Sequence, residues 1–340
     1  MHDVSNRARA ARFRRVTGAA LAGLALLGTL AGCAGEDLTK ANFQRTTVPP
    51  DPGSGGSGPV PSGPITDEAV TADRLRTVDP CPLLSDEAVG SLGTPDERKP
   101  SGFGRCSTTI RDAGGKTLDV TIEVGQYLLG TADDANGSVE GLPQIEKKQD
   151  ESTCYVTALT SKDPALGVQI AVDYSGAGEP CRPGRTVLQQ VVKDLRDGPA
   201  QIPAAQGSLV PVDPCTAVDD EVIAGLVPPE VEQQPTSLRG CQWRSRGTSV
   251  AVDFRTGYPP RPGDDGQPVD LGNGISGLSE QLGDSNECKI TWLHRTAGEE
   301  GEDELVNVSW SNYNGEATAD DPCAKVLTAA QAAAGTLPRP

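Results

Sequence analysis

Leu118, Val120, Ile122 and Val124 alternate with Asp119, Thr121 and Glu123, and Val250, Val252 and Phe254 alternate with Ala251 and Asp253. This period of two predicts a half-buried strand in each half of the chain. Further strands are predicted over Tyr155 to Leu159 and Val168 to Tyr174, and again over Lys289 to Leu293 and Leu305 to Trp310. Short turn-rich connections such as Asp163-Pro164 make antiparallel hairpins of them. The period then changes. Leu188, Val191, Val192 and Leu195 recur at helical spacing, as do Val326, Leu327, Ala330, Ala333 and Ala334, so each half closes on a helix. Ser85 and Asp219 are N-cap candidates with acids in the following turn, and each half opens on a short helix. Helix, antiparallel strands, helix is an α+β order.

The halves match beyond their periodicity. Thr77-Val78-Asp79-Pro80-Cys81 aligns with Pro211-Val212-Asp213-Pro214-Cys215, and Gly104-Arg105-Cys106 with Arg239-Gly240-Cys241. Trp310 aligns by eye with Tyr174, and His294 with Thr160. Duplication is the simplest cause, so two tandem homologous domains are expected, at 76–198 and 211–338 with a linker at 199–210. Before them, 33–75 is rich in Pro, Gly and Ser and is expected to be a disordered tether. Its root-mean-square span would be on the order of 35 Å.

The amino terminus supplies an address. Five arginines between Arg7 and Arg15 precede an apolar stretch, Thr17 to Leu30, that is too short for a stable span, so 1–32 reads as a signal peptide. Leu30-Ala31-Gly32-Cys33 resembles the lipobox of bacterial lipoproteins, which implies cleavage before Cys33 and acylation of its sulfur, with the lipid holding the protein at the cell membrane. The formal charge of −17 becomes −21 without 1–32, with 25 Lys and Arg against 46 Asp and Glu. A field of that sign repels phosphate backbones, so nucleic acid is not an expected partner.

Eight cysteines remain: Cys81, Cys106, Cys154 and Cys181, then Cys215, Cys241, Cys288 and Cys323, at offsets of 134, 135, 134 and 142 residues. No C-x-x-C pair occurs among them, which argues against zinc. Export permits disulfides, each worth about 3 to 4 kcal/mol for loops of some 25 to 40 residues. Four cysteines allow three pairings per domain. First with second and third with fourth closes the short loops and is favoured, while the nested arrangement stays open. With four Phe, three Trp and five Tyr against 40 Gly and 28 Pro, thin cores are expected.

Asp-Pro-Cys opening a helix, Cys241-Gln242-Trp243, a third cysteine beginning a strand, and Asp321-Pro322-Cys323 opening an Ala-rich helix resemble an actinobacterial family of extracytoplasmic lipoprotein domains of unknown function. The first half departs from that pattern with Ser107-Thr108 and Glu179-Pro180-Cys181. More loosely, the chain is similar to the two-disulfide extracellular sensor domains of mycobacterial serine/threonine kinases. Those likenesses imply ligand sensing in the envelope, by analogy only.

Catalytic inventory is poor. His294 is the one histidine left after signal cleavage, and S-x-x-K is absent. Asp133-Asp134-Ala135-Asn136-Gly137 lacks the spacing and terminal Glu of a calcium loop and reads as a turn. Glu299-Glu300-Gly301-Glu302-Asp303-Glu304 reads as a solvated hairpin tip. Trp243, Trp292 and Trp310 read as core. A non-enzymatic ligand- or protein-binding module is therefore expected, monomeric, without cofactor or metal, its partners being the membrane through lipid and an unidentified envelope ligand or protein. The rivals are a structural scaffold and a hydrolase using carboxylates alone, which would leave no linear motif.

Overall fold

Among the described residues of a computed structural model, 58–128, 132–176, 178–261, 263–282, 286–297, 303–314 and 321–340, the chain folds around two antiparallel sheets. The signal segment, Cys33, the tether before residue 58 and Glu299 to Glu302 lie outside the described residues. The architecture is α+β, as the change of period predicts.

In the N-terminal half, three short helices, α1 (Ala72–Arg76), α2 (Pro80–Leu83) and α3 (Asp86–Val89), precede the sheet and α4 (Cys181–Arg196) follows it. The strands are β1 (Thr94–Pro95), β2 (Lys99–Pro100), β3 (Arg105–Arg111), β4 (Thr117–Tyr127), β5 (Gly137–Val139), β6 (Leu142–Lys148), β7 (Thr153–Lys162) and β8 (Ala165–Tyr174). They lie in the order β1-β3-β4-β8-β7-β6-β5, with β2 paired to β3. The C-terminal half has α5 (Asp220–Leu226), β9 (Glu232–Ser237), β10 (Gly240–Ser245), β11 (Thr248–Gly257), β12 (Gln267–Asp270), β13 (Ser276–Gln281), β14 (Glu287–Arg295), β15 (Asp303–Asn312) and α6 (Pro322–Thr336). Its order, β9-β10-β11-β15-β14-β13-β12, has the same connectivity.

Register makes the correspondence residue by residue. Cys106 faces Ile122, which faces Ile170, and Cys241 faces Val252, which faces Val308. Cys154 faces Val172, whereas Cys288 faces Trp310. Trp310 therefore stands where the first half has Val172, two residues from its match by eye with Tyr174. The strands on either side carry the same alternation, so a shift of two keeps every side chain on its face and is invisible to pattern alone.

That exchange of valine for tryptophan explains the two closing helices. Helix α4 buries Val187, Leu188, Val191, Val192 and Leu195 against a sheet of Val and Ile. Helix α6 buries Val326, Ala329, Ala330, Ala333 and Ala334 against Trp243, Trp292 and Trp310. Large sheet residues meet small helix residues in one half and medium meets medium in the other, so both interiors fill. Neither core is thin: in the C-terminal half three fully buried tryptophans supply volume that a count of aromatics undervalues, and in the N-terminal half buried Val, Leu and Ile fill the interior without them. Trp310 Nε1 donates to the Leu226 carbonyl at 3.0 Å, which satisfies its polar atom.

Two boundaries differ from expectation. Val70 and Leu75 are buried in the first core and Ile65 packs against it, so the fold begins inside the stretch expected to be tether; isolated apolar residues among Pro and Gly gave no periodicity to read. The 199–210 segment, read as a linker, packs against both halves. Gln201 bridges Val78, Ile202 donates to the Thr77 carbonyl, and Leu209 and Val210 are buried in the second core.

Candidate functional site

The two halves, which belong to one compact unit spanning Pro49–Pro340, meet by exchanging one side chain each. Phe103, three residues before Cys106, is buried in the core of the C-terminal half, and Leu238, three residues before Cys241, is buried in that of the N-terminal half. Both sit on the turn entering the strand that bears the cysteine. Gly104 and Arg239 use their carbonyls in the same way, accepting from Val124 and Phe254 at 2.8 Å. Leu238 lies over Gly125, whose φ of +79° marks a bulge between Val124 and Gln126; a Cβ there would stand 2.1 Å from Leu238 Cγ. Burying each of these side chains contributes roughly 1.5–3 kcal/mol.

Two arginines sit at this junction. Arg76, 5% exposed, donates through Nε to the Leu238 carbonyl at 3.4 Å and pairs with Asp73 at 2.8 Å and Asp213 at 3.4 Å. Arg239 stacks over the Phe103 ring at 4.7 Å and, among the described residues, donates to carbonyls, those of Leu209, Val210 and Arg76. Desolvation, and then the neighbouring charge of Arg76, bring the Arg239 pKa down to about 9. Its charge is thus hydrogen-bonded but not neutralised by any carboxylate in contact.

Above this junction opens a cleft of about 630 Å³ lined by both halves. Phe103, Arg105 and Glu123 come from one side, and Arg239, Arg255 and Tyr258 from the other. Arg105 and Glu123 are register partners, and burial raises the Glu123 pKa while Arg105 opposes the rise. Arg255 has no hydrogen-bond or ion-pair partner among the described residues. The register equivalent of Glu123 is Asp253, which faces Gly240 in place of an arginine. Although the Asp253 residue is exposed to solvent, protein crowded around its carboxylate, with no cation opposite, pushes its pKa up to about 6.

A second groove, of about 640 Å³, runs along α4. Several of its polar side chains are already engaged: Tyr174 donates to Asp112 at 2.7 Å within the groove, and Gln189 donates to Glu140 and Gln190 to Asp194, each at 2.8 Å, outside it. The inter-half cleft is the better candidate because two of its arginines, Arg105 and Arg255, are not so engaged among the described residues. Glu146, Glu179 and Cys181 converge closely enough to hold an ion. Cys181 is in a disulfide and both carboxylates bind Arg185, at 2.7 and 2.9 Å, so a cation would have to displace existing partners. Asn136, in the stretch read as a turn, spends its side chain on the backbone of Glu146.

His294 occupies a bulge between Leu293 and Arg295, as Thr160 does between Leu159 and Ser161. Its Nε2 meets the Gly207 carbonyl at 2.9 Å, and burial lowers its pKa. Next to it, the 2%-exposed Glu304 binds Arg295 at 2.6 Å, the Ser208 hydroxyl at 2.7 Å and the Leu209 amide at 2.6 Å. These groups hold the inter-half segment against β14 and β15.

The cysteines pair as Cys81–Cys106, Cys154–Cys181, Cys215–Cys241 and Cys288–Cys323. In each half one bridge ties the opening helical segment to the sheet and the other ties the closing helix to it. The acid-Pro-Cys pattern has a local purpose. Asp79, Asp213 and Asp321 accept from the amides of Cys81, Cys215 and Cys323 at 3.0 Å, and Glu179 reaches the Cys181 amide at 2.9 Å. The acid caps, proline starts the turn and cysteine locks it. Glutamate does by length what aspartate does by position. The four disulfides point to an extracytoplasmic location, and no helix among the described residues is long and apolar enough to cross a membrane.

Reading the sequence did not single out Arg76, Arg105, Arg239 or Arg255. One signal was present: the basic residue stands before the cysteine in Gly104-Arg105-Cys106 and one place earlier in Arg239-Gly240-Cys241, which puts the two guanidinium groups on different faces.

No protein-family model matches the chain, and no curated protein matches it. Among solved structures it is similar to DynU16, a protein of the dynemicin biosynthetic locus, at 12% identity over 81% of this chain and 93% of that one, with a TM-score of 0.18.

Proposed function

We propose that the protein is an exported envelope lipoprotein, held at the membrane by lipid on Cys33, whose two homologous domains form a non-enzymatic binding module. The cleft between the halves carries this reading: it is large enough for a small ligand, lined from both sides, and carries a guanidinium group, that of Arg255, without a partner among the described residues. The shared strand order and the acid-Pro-Cys cap used four times support duplication as the origin of the two domains. Of the two register-equivalent acids Glu123 and Asp253, Glu123 lines the cleft and Asp253 does not, which favours binding over a hydrolase that needs paired carboxylates there.

Native mass spectrometry of the full chain, gently extracted from its own envelope, tests both parts. A retained small molecule and a diacylglyceryl mass on the peptide beginning at Cys33 are expected. A bare protein mass would count against binding, and an unacylated Cys33 would overturn the anchor.

A further inference from the structure

We infer that the cleft takes a small organic anion, its acidic head gripped by Arg105 and Arg255 and its apolar body laid against Tyr258. The inference rests on the binding reading above and names the ligand class for it. The chain as a whole carries −17, yet three arginines and one acid line this cleft. Concentrating cations in an acidic protein reverses the local field, which draws anions in and turns cations away.

The three arginines are not equivalent. Arg239 is committed to carbonyls and the Phe103 ring, and among the described residues no carboxylate touches its guanidinium group. Arg105 feels Glu123 across the hairpin without any direct hydrogen bond to it among the described residues. Arg255 has no hydrogen-bond or ion-pair partner among the described residues. A guanidinium presents its donors in a planar fork that matches a carboxylate or phosphate, and two such forks around one anion supply charge-assisted hydrogen bonds. Tyr258 is 54% exposed beside them, with Arg261 at 5.6 Å from its ring centroid. An exposed aromatic at the rim of a cationic cleft suits a ligand that is charged at one end and flat and apolar at the other. A neutral ligand would leave the excess charge unanswered, and a cationic one would add to it.

Phenyl phosphate, benzoate and inorganic phosphate are the probes, with phenol as the uncharged control, titrated calorimetrically into the full chain in detergent micelles. Phenyl phosphate is expected to bind more tightly than inorganic phosphate, to weaken as salt rises, and to lose about tenfold in affinity in Arg255→Gln and again in Arg105→Gln. Both arginines are on the surface, so unchanged melting of the variants would show that the loss is not one of folding. Phenol binding as tightly as phenyl phosphate, or phenyl phosphate binding equally to the parent and both variants, would overturn the inference. No heat from any of the three anions, together with a neutral molecule retained through gentle extraction, overturns the anionic class and leaves the binding module standing. No heat and no retained molecule overturns both.

Discussion

Phe103 and Leu238 stand at matching places in the two halves of the chain, and each is buried in the core of the other half. The exchange makes the two cores depend on one another. An apolar side chain lent across a junction stabilises only while both halves are folded, so the halves unfold together rather than in turn.

Leu238→Ala is expected to cost about 2–4 kcal/mol and to split the calorimetric transition in two, since the cavity forms in the N-terminal core and the junction loosens with it. A single transition of unchanged midpoint would refute this coupling.

Gly125 is the seat for Leu238, and its positive φ admits other residues only with strain. Gly125→Ala should destabilise by more than about 1 kcal/mol. Because the clash is with Leu238, combining Gly125→Ala with Leu238→Ala should cost less than the sum of the two. A urea-denaturation double-mutant cycle showing additivity would remove the direct contact as the cause.

Glu304 holds the inter-half segment through Ser208, Leu209 and Arg295. Glu304→Gln leaves the Arg295 guanidinium without its counter-charge and is expected to cost about 3 kcal/mol. Amide exchange at Leu209 should accelerate well before exchange in the core strands does. Equal protection in parent and variant would show the clamp to be dispensable.

Asp253 has a raised pKa, about 6 against an ordinary value of 3.8. The folded protein then holds this proton at pH values where the unfolded chain has released it. This group's contribution therefore favours folding less as pH rises from about 4 to above 6. Asp253→Asn is expected to be more stable than the parent at pH 7.5, with the advantage disappearing near pH 4. Denaturation midpoints that differ equally at both pH values would assign the effect to something other than the charge.

Cys288–Cys323 closes 35 residues and fastens α6 to the sheet. Replacing both cysteines by serine should cost about 3–4 kcal/mol, so that without reductant the variant melts below the parent. Melting of the parent that is indifferent to reductant would contradict a stabilising role.

Local features were readable in advance because their causes are local. The alternation from Leu118 to Val124 lies within β4, and that of Val250 to Phe254 within β11. Ser85 caps its helix through the Ala88 amide at 3.2 Å, but Asp219 makes no such bond in front of α5. The opening segment of the first half breaks into three short helices because Pro80 and Pro82 lie among residues too few to propagate one. The start of the fold was not readable, since Val70 and Leu75 belong to no period and are recognised as core only by what they touch.

By itself, the sequence determined where strands alternate and which helices close each half, because each of these depends on residues a few places apart. Only the tertiary structure decided that Phe103 and Leu238, 135 residues apart, change places, that Trp310 takes the position of Val172, and that Arg105 and Arg255 face one cleft. Those facts depend on how two sheets approach one another. Side chains distant in sequence become neighbours through packing and register, which leave no periodic trace along the chain.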